Sequence, residues 1–185
     1  MKRTTLRCFI ALLLLLPVTG VKAKKKKVVP KTIEQRVDSV LQLMTLDEKI
    51  GQTVLFTSRW DVTGPVLRGG EEDAIKEGRC GNIFNAHSVK YTRQLQEYAV
   101  KETRLGIPLL FGYDVIHGHK TTFPISLGES ASWDLQLIEK GARVAAREAT
   151  ACGIHWTFSP MVDIGRDPRW GRVSEGAGED TYLGQ

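Results

Sequence analysis

Two short stretches of the sequence hold most of the side chains that could do chemistry. The first is Tyr113-Asp114-Val115-Ile116-His117-Gly118-His119-Lys120. Leu109, Leu110, Phe111 and Gly112 lead straight into it, so Asp114 falls where an apolar strand should end. A carboxylate in that place has two acceptor oxygens and can grip vicinal hydroxyls of a sugar. It can equally cap a nearby backbone turn. His117 and His119 form an H-x-H pair, open to structural hydrogen bonding, substrate contact or metal ligation. A metal site needs further ligands, and the other histidines, His87 and His155, do not come with ligand-like spacing. No metal is therefore assigned.

The second stretch is Asp163-Ile164-Gly165-Arg166-Asp167-Pro168-Arg169-Trp170-Gly171-Arg172. Arg166, Arg169 and Arg172 alternate with Asp163 and Asp167 around Pro168, Trp170 and Gly171. Guanidinium forks hold carboxylates or hydroxyl pairs in a plane, and Trp170 offers a stacking face. Most of this cluster is expected to form an internal ion-pair network that stiffens a long loop, leaving one arginine for a ligand. Gly176 and Gly178 lie in no G-x-G-x-x-G or Walker context, so a phosphate loop is not indicated.

The elements that must position these groups follow from hydrophobic periodicity. Ile33, Val37, Val40, Leu41 and Met44 predict an amphipathic helix over Thr32–Met44 with that face inward. Thr45-Leu46-Asp47-Glu48 reads as a capping box opening a second helix through Gln52. Gly and Pro mark Arg59–Glu72 as a loop. Cys80–Asn85 reads as a strand, Ser88–Arg104 as a helix, and Leu109–Asp114 as a strand apolar on both faces. Ser132 is the expected cap of a helix from Trp133 to Ala151. Its inward face is small: Ala142, Ala145, Ala146 and Ala149 beside Leu135 and Ile138. His155–Pro160 is a third strand, followed by a polar loop to Gln185 with a helix beginning near Thr181. The order strand, helix, strand, helix, strand predicts right-handed βαβ units in a parallel sheet, with chemistry at the carboxyl ends of the strands.

Composition bounds the rest. The chain has 185 residues, is 42% hydrophobic and 25% charged, and carries a net charge of +5. Those proportions are globular and argue against disorder. Lys2, Arg3, Arg7, Lys22 and Lys24–Lys27 sit before the first acid, so everything beyond Lys27 is net negative. The basic balance belongs to the N-terminus and gives no support for nucleic-acid binding. Residues 1–23 read as a secretory signal peptide: a positive start, an apolar run from Phe9 to Leu16, then Val21-Lys22-Ala23 as a cleavage site. The run is too short to span a bilayer, so no stable membrane insertion is expected once it is removed. Residues 24–31 are a basic flexible segment. The implied location is periplasmic or secreted, and Cys80 and Cys152 are expected as two buried thiols.

Three segments carry a family resemblance. They are LGIPLLFGYDVIHGHKTTFPISLGESASWD (Leu105–Asp134), FSPMVDIGRDPRWGRVSEGAGEDTYLG (Phe158–Gly184) and, more loosely, LQLMTLDEKIGQ (Leu41–Gln52). Together they resemble the N-terminal barrel domain of glycoside hydrolase family 3, of the periplasmic β-glucosidase type. The resemblance covers residues 32–185. It implies an α/β fold, the N-terminal part of a (β/α)8 TIM-like barrel that is incomplete in this chain. It also implies retaining hydrolysis of terminal β-D-glucosyl residues, with an oligosaccharide or β-glucoside as substrate and no cofactor.

By position, Asp114 is similar to the family's carboxylate that binds hydroxyls of the sugar in the −1 subsite, and Arg172 to the arginine that holds the same sugar. Arg169 stands with them as a substrate-binding candidate. His117, Asp167 and Trp170 are similar to the supporting framework. The family's nucleophilic aspartate and its acid/base carboxylate lie beyond the matched segments, so no catalytic residue is assigned within this chain. Two other readings stand beside this one: a metal-dependent barrel hydrolase using His117 and His119, and a noncatalytic sugar-binding remnant.

Overall fold

The computed structural model describes residues 31–61, 64–66 and 70–185, with the backbone alone for 59–61 and 64–66. The signal peptide expected at 1–23 and the basic segment expected at 24–31 lie outside the described residues, save Lys31. The sheet, the core and every candidate site residue belong to residues 37–185.

Helix α1 spans Ile33–Leu41. It forms where the spacing predicts, but its apolar stripe does not face inward. Val37, Val40 and Leu41 are exposed, and Met44 just beyond them is buried. Helix α2, Leu46–Gly51, begins with the predicted capping box: Thr45 Oγ1 accepts the Glu48 amide at 3.2 Å, and Glu48 Oε2 accepts the Thr45 amide at 2.8 Å. Strand β1, Leu55–Thr57, follows within a few residues. It is too short to establish a period-two pattern, and the sequence gives no other sign of it.

The segment expected to be a loop holds two strands and the first two residues of a helix. Strands β2, Arg59–Asp61, and β3, Gly64–Val66, pair antiparallel, with Arg59 opposite Val66 and Asp61 opposite Gly64. Helix α3, Glu71–Lys76, starts at Gly70, which takes φ 89°. Glu71, Glu72 and Asp73 fill its first turn, where negative charge meets the positive end of the helix dipole. A two-stranded ribbon tolerates Gly and Pro that a central strand would not, and for that reason composition concealed it.

Beyond it lie β4, Asn82–Phe84; α4, Val89–Glu102; β5, Leu110–Tyr113; α5, Ser126–Ser130; α6, Leu135–Ala151; β6, Trp156–Thr157; and a 3-10 turn at Val173–Glu175. Ser88, the first residue of the expected helix, caps α4, its Oγ accepting the Tyr91 amide at 3.3 Å. The cap of α6 is Asp134 rather than Ser132: Asp134 Oδ1 accepts the Leu137 amide at 3.0 Å, and Trp133 just before it sits at φ 57°. Residues after Thr181 form a turn and not a helix.

β1, β4, β5 and β6 form one parallel sheet in that order, four strands where the periodicity predicted three. Ile83 stands between Phe56 and Phe111 in register, and Gly112 pairs with Trp156. One core cluster packs α3 and α4 on the sheet through Ala74, Ile75, Ile83, Leu95, Ala99 and Phe111. Burying each of Ile75, Ile83, Leu95 and Phe111 stabilises by roughly 1.5–3 kcal/mol. A smaller cluster seats α6 through Ala145 and Ala149 against Val115 and Ile154. Of the predicted small face only Ala145 and Ala149 are buried, joined by Gly141 at the same four-residue step, while Ala142 and Ala146 are exposed. Both cysteines are free; Cys80 is buried, and Cys152 is half-buried where burial was expected. Burial pushes the Cys80 thiol up to about 11. Among the described residues no helix is long and apolar enough to cross a membrane.

Candidate active site

Both reactive stretches begin where strands end. Asp114 follows the last residue of β5, and Asp163 lies a few residues past β6, beyond a cis Ser159–Pro160 bond. β5 and β6 are parallel neighbours, so their loops leave from the same end of the sheet.

Asp114 is exposed, and its Oδ1 accepts the Ile116 amide at 3.2 Å. One oxygen thus caps a local turn, which is the second role the sequence left open. Oδ2 has no hydrogen bond among the described residues. The preceding ring, Tyr113, meets His87 and His119 edge to face, with centroids 5.0 and 5.4 Å away. Burial and the neighbouring Asp114 charge raise the Tyr113 hydroxyl above its ordinary range. Burial lowers both His87 and His119, aided in each case by the Lys120 charge. Neither ring nitrogen of His119 has a hydrogen-bond partner among the described residues.

His117 lines a cleft of about 590 Å³ between α6 and the end of β6, which also takes in Glu129, Ile138, Trp156 and Met161. Burial raises the Glu129 carboxyl, and the nearby His117 partly offsets that. Asp114 and Arg172 do not line this cleft, so it and the two residues singled out from the sequence are different places. No group of three His, Cys, Asp or Glu side chains among the described residues is arranged to hold a metal ion.

The arginine loop contains two local ion pairs rather than the expected network. Asp167 takes Arg169 through both oxygens, with Nε to Oδ1 at 3.0 Å and Nη2 to Oδ2 at 2.7 Å. The Arg169 side chain is nevertheless 89% exposed. Arg172 closes a parallel fork on Glu175, with Nε to Oε1 at 2.9 Å and Nη2 to Oε2 at 2.7 Å. Glu175 was not anticipated, although its three-residue spacing from Arg172 was a usable signal. Glu175 raises the Arg172 guanidinium most, and the charges of Asp163 and Asp114 add to it. Arg166 makes no side-chain hydrogen bond or ion pair among the described residues. Trp170 is partly exposed and enters the turn through its backbone, its amide donating to the Asp167 carbonyl at 3.0 Å. The loop is closed at its far end, where the Gly165 amide donates to the Gly178 carbonyl at 3.0 Å.

A further carboxylate outside both stretches reaches this region. Glu148 of α6 accepts bonds from Lys120 and Thr121, 27–28 residues away in sequence. No spacing rule could have found it.

Residues 45–185 match the family model of the glycosyl hydrolase family 3 N-terminal domain. The chain belongs to glycoside hydrolase family 3. A periplasmic β-glucosidase of Salmonella typhimurium is 46% identical over 154 residues, which span 83% of this chain and 20% of that protein. A periplasmic β-glucosidase/β-xylosidase of Dickeya chrysanthemi is 34% identical over 175 residues, 80% of this chain and 26% of that one. Among solved structures, the β-glucosidase of Listeria innocua in complex with isofagomine superposes with a TM-score of 0.70 at 44% identity, covering 83% of this chain and 21% of its own. The chain therefore spans about a fifth to a quarter of the length of these relatives. The parallel sheet flanked by helices is part of the TIM-barrel-like α/β fold of the family 3 domain.

Proposed function

We propose that this chain supplies part of the −1 sugar subsite of a retaining β-glucoside hydrolase, whose nucleophile and acid/base lie on segments other than residues 1–185. The observation that carries the reading is the placement of Asp114 and Arg172 on the loops that leave two neighbouring parallel strands at the same end of the sheet. With Oδ1 turned onto the Ile116 amide, Asp114 has Oδ2 to accept from sugar hydroxyls. The fork to Glu175 fixes the Arg172 plane and leaves its remaining N–H groups to donate to a hydroxyl oxygen. Arg169 joins from the loop rim, with Asp167, Trp170 and His117 as supports. Retention needs two carboxyl groups about 5–5.5 Å apart across the scissile bond, and the binding role given to Asp114 leaves both to other residues. The relatives act on β-glucosides, and one of them on β-xylosides by name. We propose a terminal β-glucosyl group as substrate, no cofactor, and a periplasmic or secreted location after removal of residues 1–23. The periplasmic relatives support that location.

Hydrolysis of aryl β-D-glucoside and β-D-xyloside by the full-length protein tests this. The glucoside is expected to have the higher kcat/KM. Asp114→Ala should lower it at least about a hundredfold, since hydroxyl contacts strengthen as the ring distorts in the transition state. No turnover by the wild type, or a change within about twofold in the variant, contradicts the reading.

A further inference from the structure

Glu148 stands on α6, yet its carboxylate makes the longest-range polar contacts of the loop after β5. Oε2 accepts the backbone amides of Lys120 at 2.7 Å and Thr121 at 2.8 Å, and Oε1 accepts the Thr121 hydroxyl at 2.7 Å. The loop's other fixings are the burial of Val115 against Ala145, Ala149 and Ile154, the Phe123 amide donating to the His117 carbonyl at 2.9 Å, and the Gly118 amide donating to the Val115 carbonyl at 3.4 Å. Its tight turn depends on Gly118, at φ 107°, where the Thr121 carbonyl occupies the place a Cβ would take. Hydrogen bonds to an ionised acceptor are about twice as strong as neutral ones, so three of them from one side chain make an anchor. The Thr121 amide and hydroxyl, the Lys120 amide and the His119 field all hold this carboxyl below the usual range.

We infer that Glu148 is a positioning residue for sugar recognition: from α6 it holds the loop that starts at Asp114 in its binding geometry. The inference rests on the proposed hydroxyl-binding role of Asp114. Asp114 and Thr121 bound one loop segment, tied by the Ile116 amide at one end and by Glu148 at the other. Releasing the far end lets the near end drift, and a misplacement of about 1 Å in a binding group is enough to cost large factors in rate.

The test is isofagomine affinity, with aryl glucoside kinetics, in the full-length protein. Glu148→Ala should weaken binding about tenfold and raise KM more than it lowers kcat. Glu148→Gln, which keeps an acceptor oxygen for the amides, should recover part of the loss. Thr121→Val removes only the hydroxyl bond and should cost about two- to threefold. Hydrogen exchange at the Lys120 and Thr121 amides should quicken in Glu148→Ala. Wild-type affinity in a folded Glu148→Ala protein, with those amides exchanging faster, overturns the inference. If that variant fails to fold, wild-type affinity in both Glu148→Gln and Thr121→Val overturns it. Unchanged affinity in Asp114→Ala instead defeats the reading of the sugar site itself, whatever Glu148 does.

Discussion

Arg172 and Arg169 look equivalent as letters and are unlike as groups. Arg172 is held by a carboxylate three residues on, under the added field of Asp163 and Asp114. Arg169 is closed on Asp167 two residues back, and its side chain stands almost wholly in water. A lysine cannot reproduce a planar two-point fork, so Arg172→Lys is expected to lower kcat/KM about tenfold or more. Exposed pairs contribute little, so Arg169→Ala should change kcat/KM only about two- to threefold. Steady-state kinetics of the two variants in the full-length protein checks this; equal losses would show that both arginines meet the sugar alike.

At the scale of elements, legibility followed length and punctuation. Helices with a clear cap and a repeated apolar step, such as α4 behind Ser88, could be read from the sequence to within a residue or two. β1 could not, because three residues carry no period. β2 and β3 were hidden under Gly and Pro, and α3 is too short, at six residues, to repeat an apolar step. α6 was placed, but its capping residue moved from Ser132 to Asp134 because Trp133 adopts a left-handed conformation. In the site, the strand-end position of Asp114 was legible from the apolar run before it. The Glu148 anchor was not, since its partners are brought together only by folding. The glycines of these elements yield a sharp prediction. Gly51 packs with the Gly78 carbonyl where a Cβ would go, and the Gly81 amide donates to the Gly51 carbonyl at 2.7 Å. Backbone cannot withdraw as a flexible side chain can, so Gly51→Ala should destabilise by about 1–3 kcal/mol. Chemical denaturation reads this directly, and a variant as stable as the wild type would show that the α2 to β4 connection can shift.

The molecule as a whole joins a sound first half to an open second one. Glu48 ties the capping box of α2 to Arg104, whose Nε donates to Oε1 at 3.0 Å and whose Nη2 donates to the Leu43 carbonyl at 2.7 Å. The Arg104 guanidinium and the Thr45 amide hold the Glu48 carboxyl down to about 2 from an ordinary 4.5. A depressed carboxyl contributes stability above its unfolded value, and that contribution is lost as pH falls toward the folded one. Glu48→Gln should therefore be less stable than the wild type at pH 7, with the difference closing between about pH 4.5 and 2. Melting curves across that range check the sign; a gap that stays constant would mean that Glu48 does not titrate with folding.

The β6 side is different. β1 and β6 each pair on one edge only among the described residues. Trp156 of β6 and Phe158 and Val162 just after it in sequence are exposed. Unpaired edges beside apolar surface favour self-association. Residues 24–185 expressed alone are accordingly expected to melt broadly and to associate, and a sharp melt of a monomer would contradict this.

The central claim is that Asp114 and Arg172 clasp the same pyranose ring. A crystal structure of the full-length protein soaked with glucose tests it most directly. The account predicts the Asp114 carboxylate and the Arg172 guanidinium within hydrogen-bonding distance of adjacent hydroxyls of one glucose. A glucose bound in the cleft beside His117 and Glu129, or elsewhere away from both side chains, would contradict it.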